Sequence, residues 1–512
     1  MSTASDQQQW PGPLSAAVAR MCTDLRPQLA EPTADRFDDV LRRLAAPLQV
    51  AVAGRIKSGK STLVNALIGR RVAPTDIGEC TRLVTRFQYG TVDRIEVVLT
   101  DGTRQAVPFA PDGGIPAELG MELSEVSHLE AYLTNAVLRE LTVIDTPGLG
   151  SLDADAAGRT ADLLGEIDPV SSSALAGAEA VLYVLTQQVR ADDRSALSAF
   201  SAATGGSEAG PVNAIALLNK ADTVQPESVT GAGSDVWAAA GILAQRQARL
   251  LQPRVADVLP VVGLLAESAE TGAFTAADAA ALRELSGLDT ATRETLLLSA
   301  DLFTTWECGV DPAVRTGLLH RLDLHGVRCA LAAIEEDPQV TDGALRRALR
   351  DASGLAAVQQ RLRSVLQARV DGIKAAAALA SVTALAEEPG AAGDPGAADQ
   401  RQRVHDAVEA LLARPEAHRL RVLEALTAIA SGAVELPDDL AEEVLRVGSG
   451  GDAREQLGMP DGGDQDMAGY ALERATWWRS FSSLGATPAQ SRIAHVVHRA
   501  YFLLWQQLGA SA

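Results

Sequence analysis

Apolar positions change their rhythm about halfway along this 512-residue chain. Up to about residue 266, short continuous apolar runs end in Gly or polar residues: "LQVAVAG" (48–54), "LTVIDTPG" (141–148), "AVLYVL" (180–185), "NAIALLNK" (213–220) and "ADVLPVVGLLA" (256–266). Runs of this kind, alternating with helical stretches, predict strands buried on both faces in a mixed, mostly parallel sheet. The loops at the carboxyl ends of such strands carry the chemistry. "VTRFQY" and "RIEVVLT" flank the turn-like "GTVD" and predict a hairpin.

Beyond that point the period becomes helical. Segments 268–380 and 401–445 are rich in Ala, Leu, Arg and Glu; in one, Leu345, Leu349, Leu355, Val358, Leu362 and Val365 keep returning to one side. They predict long helices of a bundle. Stretches 387–400 and 448–467 are rich in Gly, Pro and Asp and predict a linker and a long loop. The amphipathic segment 14–46 precedes the first strand and is placed to pack on the later helices. The expected layout is an N-terminal helical segment (1–46), an α/β domain (47–267) and an all-α neck and trunk (268–512), with no internal repeat.

Composition narrows the function classes. A formal net charge of −21 argues against nucleic-acid binding through the overall field. The four Cys, at 22, 80, 308 and 329, show no C-x-x-C spacing, which fits a reduced, cytoplasmic compartment rather than a zinc site or disulfide scaffold. "MSTASDQQQWPGPLS" has neither the early positive charge nor the apolar core of a secretory signal. No apolar run reaches the roughly 18 residues that span a bilayer, so membrane contact is expected to be peripheral, at the inner face of the cell membrane.

One residue type is used with unusual economy: the chain has four Lys against 41 Arg, and Lys57 and Lys60 fall together in "GRIKSGKS". That stretch matches G-x-x-x-x-G-K-[ST] directly after an apolar strand and opening a helix, as a phosphate-binding loop requires. Gly54 and Gly59 let the backbone curl so that amides of Ser58 through Thr62 point at phosphate oxygens. Lys60 is a flexible point charge for the β- and γ-phosphates, a task the planar Arg fork performs poorly in so tight a loop. Ser61 offers a hydroxyl to Mg²⁺.

Two further motifs follow in order. In "VIDTPG" (143–148), Asp145 at a strand end is placed to hold Mg²⁺ through water, and the Gly148 amide to sense the γ-phosphate. In "LLNKAD" (217–222), the Asp222 carboxylate can accept the two adjacent donors of guanine, where adenine would present an acceptor. Asn219 would tie the base to the phosphate loop, and the Lys220 stem would lie over the ring. Three of the four Lys thus fall in nucleotide motifs. A Thr that closes over Mg²⁺ is expected within "APTDIGECTRLVTRFQYG" (73–90); Thr81 is preferred to Thr75, and Thr85 is expected inside the strand.

Taken together, "APLQVAVAGRIKSGKSTLVNALIG", "PTDIGECTRLVTRFQYG", "VIDTPG", "NKAD" and "LPVVGLLAES" resemble the bacterial dynamin-like GTPases, nearest the actinobacterial isoniazid-inducible and sporulation members. The resemblance implies a GTPase domain on a helical neck and trunk, GTP as substrate with Mg²⁺, a homodimer or a heteromer with a second dynamin-like protein through the GTPase domains, and membrane remodelling. It also implies that Gly263 and Leu264 contact guanine through the main chain. Ile56 stands where eukaryotic relatives carry a Gln thought to position water, and Lys57 where they carry a Ser that helps hold a cation. Lys57 is therefore a candidate charge-stabilising cation near the transferred phosphate, or a contact to the sugar or a partner subunit. Two other classes share the motifs: a slow GTP-binding partner of another dynamin-like subunit, and a ribosome-assembly GTPase, which would normally append a basic domain. Residues 473–505, basic and aromatic, predict either an interfacial surface or the core side of helices closing a bundle. His495 and His498 there share a helix face without a third metal ligand.

Overall fold

The computed structural model describes residues 10–74, 83–147, 178–190, 193–197, 213–251, 254–255, 257–366, 370–387, 395–414, 417–430, 434–449, 452–483 and 486–509. Among these residues one sheet has nine strands: β1 (Leu48–Gly54), β2 (Thr85–Tyr89), β3 (Arg94–Leu99), β4 (Arg104–Val107), β5 (Val126–Leu133), β6 (Leu141–Asp145), β7 (Ala180–Leu185), β8 (Ala214–Asn219) and β9 (Val258–Val261). They lie in the order β4-β3-β5-β2-β6-β1-β7-β8-β9. From β6 to β9 all neighbours are parallel. Every residue of β1, β7 and β8 is buried, as their unbroken apolar runs require.

Side chains of β1 alternate between two cores. Val50 and Val52 share one with Leu63 and Leu67 of the Lys60–Ile68 helix and with Leu355, Val358 and Leu362; Ala51 and Ala53 share the other with Tyr183, Ala244 and Leu251. The result is an α/β sandwich whose P-loop strand is central.

Three expectations need correction. β2 and β3 do not pair: β5 lies between them, parallel to β2 and antiparallel to β3. The "GTVD" loop instead crosses the end of β5, where Asp93 Oδ1 accepts from the Thr134 amide and hydroxyl at 2.7 and 2.9 Å. The tight hairpin is β3 with β4. Secondly, the change of composition near 267 is not a packing boundary. One core runs from Ala221 and Leu265 through Leu282, Phe303, Leu322 and Val327 to Leu349, and Leu355, Val358 and Leu362 of the next helix pack under the sheet itself, so the helices well beyond 267 are built onto the head. Composition changes there because sheet gives way to helix, and the helices bury one face against the sheet domain. Thirdly, 448–467 is no long loop: it contains the Ala453–Leu457 helix, capped by Asp452, whose carboxylate accepts from the Glu455 amide at 2.9 Å. The helix Pro395–Leu412 likewise begins inside the stretch expected to be a linker.

The body forms two further cores. Leu14, Val18 and Phe37 of the N-terminal helices pack against Leu379 and Val382 of the Val370–Glu387 helix. Asp371 on that helix takes the amides of Leu14 and Ser15 at 3.0 and 2.7 Å, capping the Pro13–Leu25 helix from 357 positions away. In the last pair of helices, Trp478 and Tyr501 are buried and both donate to Glu443, whereas Trp477 and Phe502 remain more than a third exposed. The aromatic stripe is therefore split between core and surface. His498 Nδ1 donates to the Ala475 carbonyl at 2.8 Å and links the two helices. Among the described residues no helix is long and apolar enough to cross a membrane.

Candidate nucleotide site

β1 ends in Gly54, and the loop that follows needs backbone shapes that few residues supply. Gly54 and Gly59 have φ of +147° and +91°; a Cβ would meet the Val184 carbonyl at 2.4 Å in the first and Asn219 Nδ2 at 2.3 Å in the second. Both must be glycine. Lys57, between them, also adopts a positive φ of 61° and is exposed, as is Ile56. The Lys60–Ile68 helix starts without a side-chain cap, which leaves its first amides free for an anion.

Lys60 is buried, and its Nζ donates to the Arg55 carbonyl at 3.1 Å. Burial lowers its pKa, partly offset by the charge of Asp145. Asp145 ends β6, is buried, and accepts from Ser61 Oγ at 2.9 Å through Oδ2; its Oδ1 has no hydrogen-bond partner among the described residues. Burial pushes its pKa up to about 6. A hydroxyl and a half-satisfied buried carboxylate at the mouth of an anion-binding loop fit a divalent cation that holds phosphate oxygens. Thr85 is buried in β2 in register with Asp145, as expected of a structural residue.

Asn219 fastens three loops. Its Nδ2 donates to the Ser58 carbonyl at 2.7 Å, while its Oδ1 accepts from the amides of Lys220 at 2.8 Å and Gly263 at 2.9 Å. The phosphate loop, the "NKAD" turn and the loop after β9 are thereby held as one unit. Lys220 has a φ of 58° and is exposed; Asp222, three residues beyond Asn219, is half-buried, and burial raises its pKa. Gly263 has no room for a side chain, because a Cβ would stand 2.9 Å from Asn219 Oδ1; Leu264 beside it is half-buried.

Gly54, Lys57, Ser58, Gly59, Lys60, Ser61, Thr62, Asp145, Asn219, Lys220, Asp222, Gly263 and Leu264 thus all lie at the carboxyl end of the sheet. Thr81, Thr75 and Gly148 lie outside the described residues. Sequence reasoning missed Asn65. Its Oδ1 accepts from the amides of Val72 and Ala73, and its Nδ2 donates to the Ala73 carbonyl and to buried Glu267 at 2.7 Å. It anchors the chain just before the segment holding Thr75 and Thr81. The signal was available: the chain has four Asn, and three of them, Asn65, Asn135 and Asn219, do this kind of fastening.

Comparison with known proteins agrees with this geometry. A family model described as the dynamin family matches residues 50–204. The isoniazid-induced protein IniC of Mycobacterium tuberculosis is 33% identical over 454 residues, 87% of each chain. The isoniazid-induced protein IniA of the same organism is 33% identical over 146 residues, 26% of this chain and 22% of its own. A bacterial dynamin-like protein from Nostoc punctiforme is 27% identical over 119 residues, 21% of this chain and 17% of its own. The phosphate-loop strand, the Asn219 clasp and a relative matched along most of its length lead to one conclusion: the chain belongs to the dynamin family.

Proposed function

We propose that this protein binds GTP with Mg²⁺ and hydrolyses it, and that phosphate loss is coupled to pairing with a second dynamin-like subunit and to peripheral contact with the inner face of a membrane. The observation that carries the reading is the Asn219 clasp, which joins the phosphate loop at Ser58 to Gly263 and sets Asp222 three residues away. In this reading Gly54 to Thr62 bind the phosphates, Lys60 neutralises charge on them, and Ser61 and Asp145 hold Mg²⁺ together with Thr81. Asp222 accepts the guanine donors, the Lys220 stem covers the ring, and Gly148 reports the γ-phosphate. Mg²⁺ would supply charge neutralisation on the phosphates. Positioning and charge stabilisation suffice for phosphoryl transfer, so no nucleophilic side chain is needed.

Lys57 is exposed on a strained backbone and forms no ion pair among the described residues. This supports a cation offered to the transferred phosphate or to a partner subunit. A second reading, slow hydrolysis by a GTP-binding partner, is favoured by Ile56, an apolar side chain 48% exposed that cannot orient an attacking water.

Phosphate release from GTP and ATP, measured with and without anionic liposomes, tests the proposal. GTP-selective release that rises with liposomes or a partner is expected; release equal for ATP contradicts the specificity, and turnover indifferent to both additions favours the second reading.

A further inference from the structure

The sheet face that carries Leu48, Val50 and Val52 of β1 is not fully covered. Between it and the Leu355–Leu366 helix lies a cavity of about 340 Å³. Its floor is built in rows, because Leu48 stands beside Leu141 and Val50 beside Val143 in the parallel pair of β1 and β6, and Val52 stands beside Leu182 of β7. Apart from Leu141, which is half-buried, none of these side chains is more than 3% exposed. Leu48 and Leu141 open their strands, so the cavity reaches the amino ends of the sheet, away from the nucleotide residues at the carboxyl ends.

A close-packed interior keeps few voids larger than a water molecule, and an apolar void stays dry until an apolar guest enters it. At the roughly 150 Å³ that encloses a benzene, a volume of about 340 Å³ takes on the order of a dozen carbons and falls among ligand pockets of roughly 300–1,000 Å³. That is room for one alkyl chain but not for the two chains of a bilayer phospholipid. The polar lining residues are Glu140, Gln359 and Arg363; Glu140 and Arg363 are exposed and mark the mouth. Glu140 has a partner of its own. Arg361, two residues before Arg363, pairs with Asp257, whereas Arg363 has no ion pair or hydrogen bond among the described residues. An apolar floor beneath an unpaired guanidinium matches a guest with an alkyl chain and an anionic head.

We propose that this cavity binds one fatty-acyl carboxylate of about ten to twelve carbons, its chain laid along β1 and β6 and its head at Arg363. Val370, which lines the same space, opens the Val370–Glu387 helix of the body. A bound chain therefore fills the seam where the body meets the head and stabilises that junction.

The test is isothermal titration of the purified full chain, without nucleotide, with decanoate and with decanol. Decanoate is expected to bind saturably, one per chain, and to raise the melting temperature. Leu141→Trp, which builds an indole into the floor, is expected to weaken both ligands by about tenfold or more. Arg363→Gln is expected to weaken decanoate by about fivefold while decanol changes by less than about twofold. No saturable heat for decanoate in the wild type overturns the inference, as does undiminished binding by folded Leu141→Trp. Arg363→Gln changes an exposed side chain and so keeps the test independent of folding: an equal loss for both ligands, or no loss for decanoate, overturns the assignment of the head. Vesicles of a two-chain phospholipid that displace decanoate overturn the single-chain assignment.

Discussion

The two ends of strand β1 treat buried charge in opposite ways. At its amino end, Lys374 and Glu179 form an ion pair at 3.0 Å with side chains 1% and 3% exposed. Each is also satisfied elsewhere: Lys374 Nζ donates to the Arg43 carbonyl at 2.8 Å, and Glu179 Oε2 accepts from the Gln49 amide at 2.9 Å. Burial pushes the Lys pKa down and the Glu pKa up, against which the pair attracts. At the carboxyl end, among the described residues, Lys60 has only the Arg55 carbonyl as a hydrogen-bond partner and Asp145 keeps an oxygen without one. A buried charge matched by the protein joins the body to the head; one left half-matched is what the proposed nucleotide and its cation would complete. Of the chain's four Lys, the two buried ones sit one at each end, Lys60 and Lys374, while Lys57 and Lys220 are exposed beside Lys60's site.

The contrast can be broken most forcefully at the junction. Lys374→Ala leaves Glu179 buried without its cation and is expected to cost about 3–5 kcal/mol of stability in chemical denaturation, with GTP affinity of the folded fraction unchanged. Lys374→Met with Glu179→Leu should recover most of that loss, because both charges leave together. At the other end the pattern reverses. Lys60→Ala should weaken GTP binding by on the order of a hundredfold, about 2.7 kcal/mol, without lowering the melting temperature of the nucleotide-free protein. Stability lost in Lys60→Ala, or nucleotide affinity lost in Lys374→Ala, would erase the distinction.

A smaller effect follows from Asp145. Its folded pKa of about 6 lies above the ordinary carboxylate value, so the folded state binds this proton more tightly than the unfolded chain. The contribution to nucleotide-free stability is present at low pH and lost as pH rises through about 6. Asp145→Asn should therefore remove part of the pH dependence between about 4 and 6 and stabilise the nucleotide-free protein at neutral pH by about 1–3 kcal/mol, as Mg²⁺-dependent binding falls. Equilibrium unfolding at several pH values checks this.

Much of the nucleotide end was legible in the sequence, because its geometry is local. Gly54 and Gly59 are required by backbone shapes that the motif spacing already encodes, and Asn219 was assigned to the phosphate loop that it does clasp. The junction was not legible. Lys374 and Glu179 lie 195 positions apart, and neither "VDGIK" nor "LAGAEA" carries a pattern that names the other. The insertion of β5 between β2 and β3 was hidden for the same reason: a short link predicts a hairpin, and only long-range pairing shows a third strand in the gap. A bend at Asp323, where φ is 53° inside the Pro312–Glu336 helix, leaves no mark either, since the apolar positions of "LLHRLDLHGVR" continue through it.

The central claim is that the carboxyl end of the sheet is an incomplete charge arrangement completed by a guanine nucleotide. Isothermal titration of the purified protein with GTP and with ATP, in the presence of Mg²⁺, tests it most directly. Saturable heat for GTP that is absent for ATP, and lost in Lys60→Ala, is the expected result; no heat for GTP, or equal heat for ATP, would contradict it.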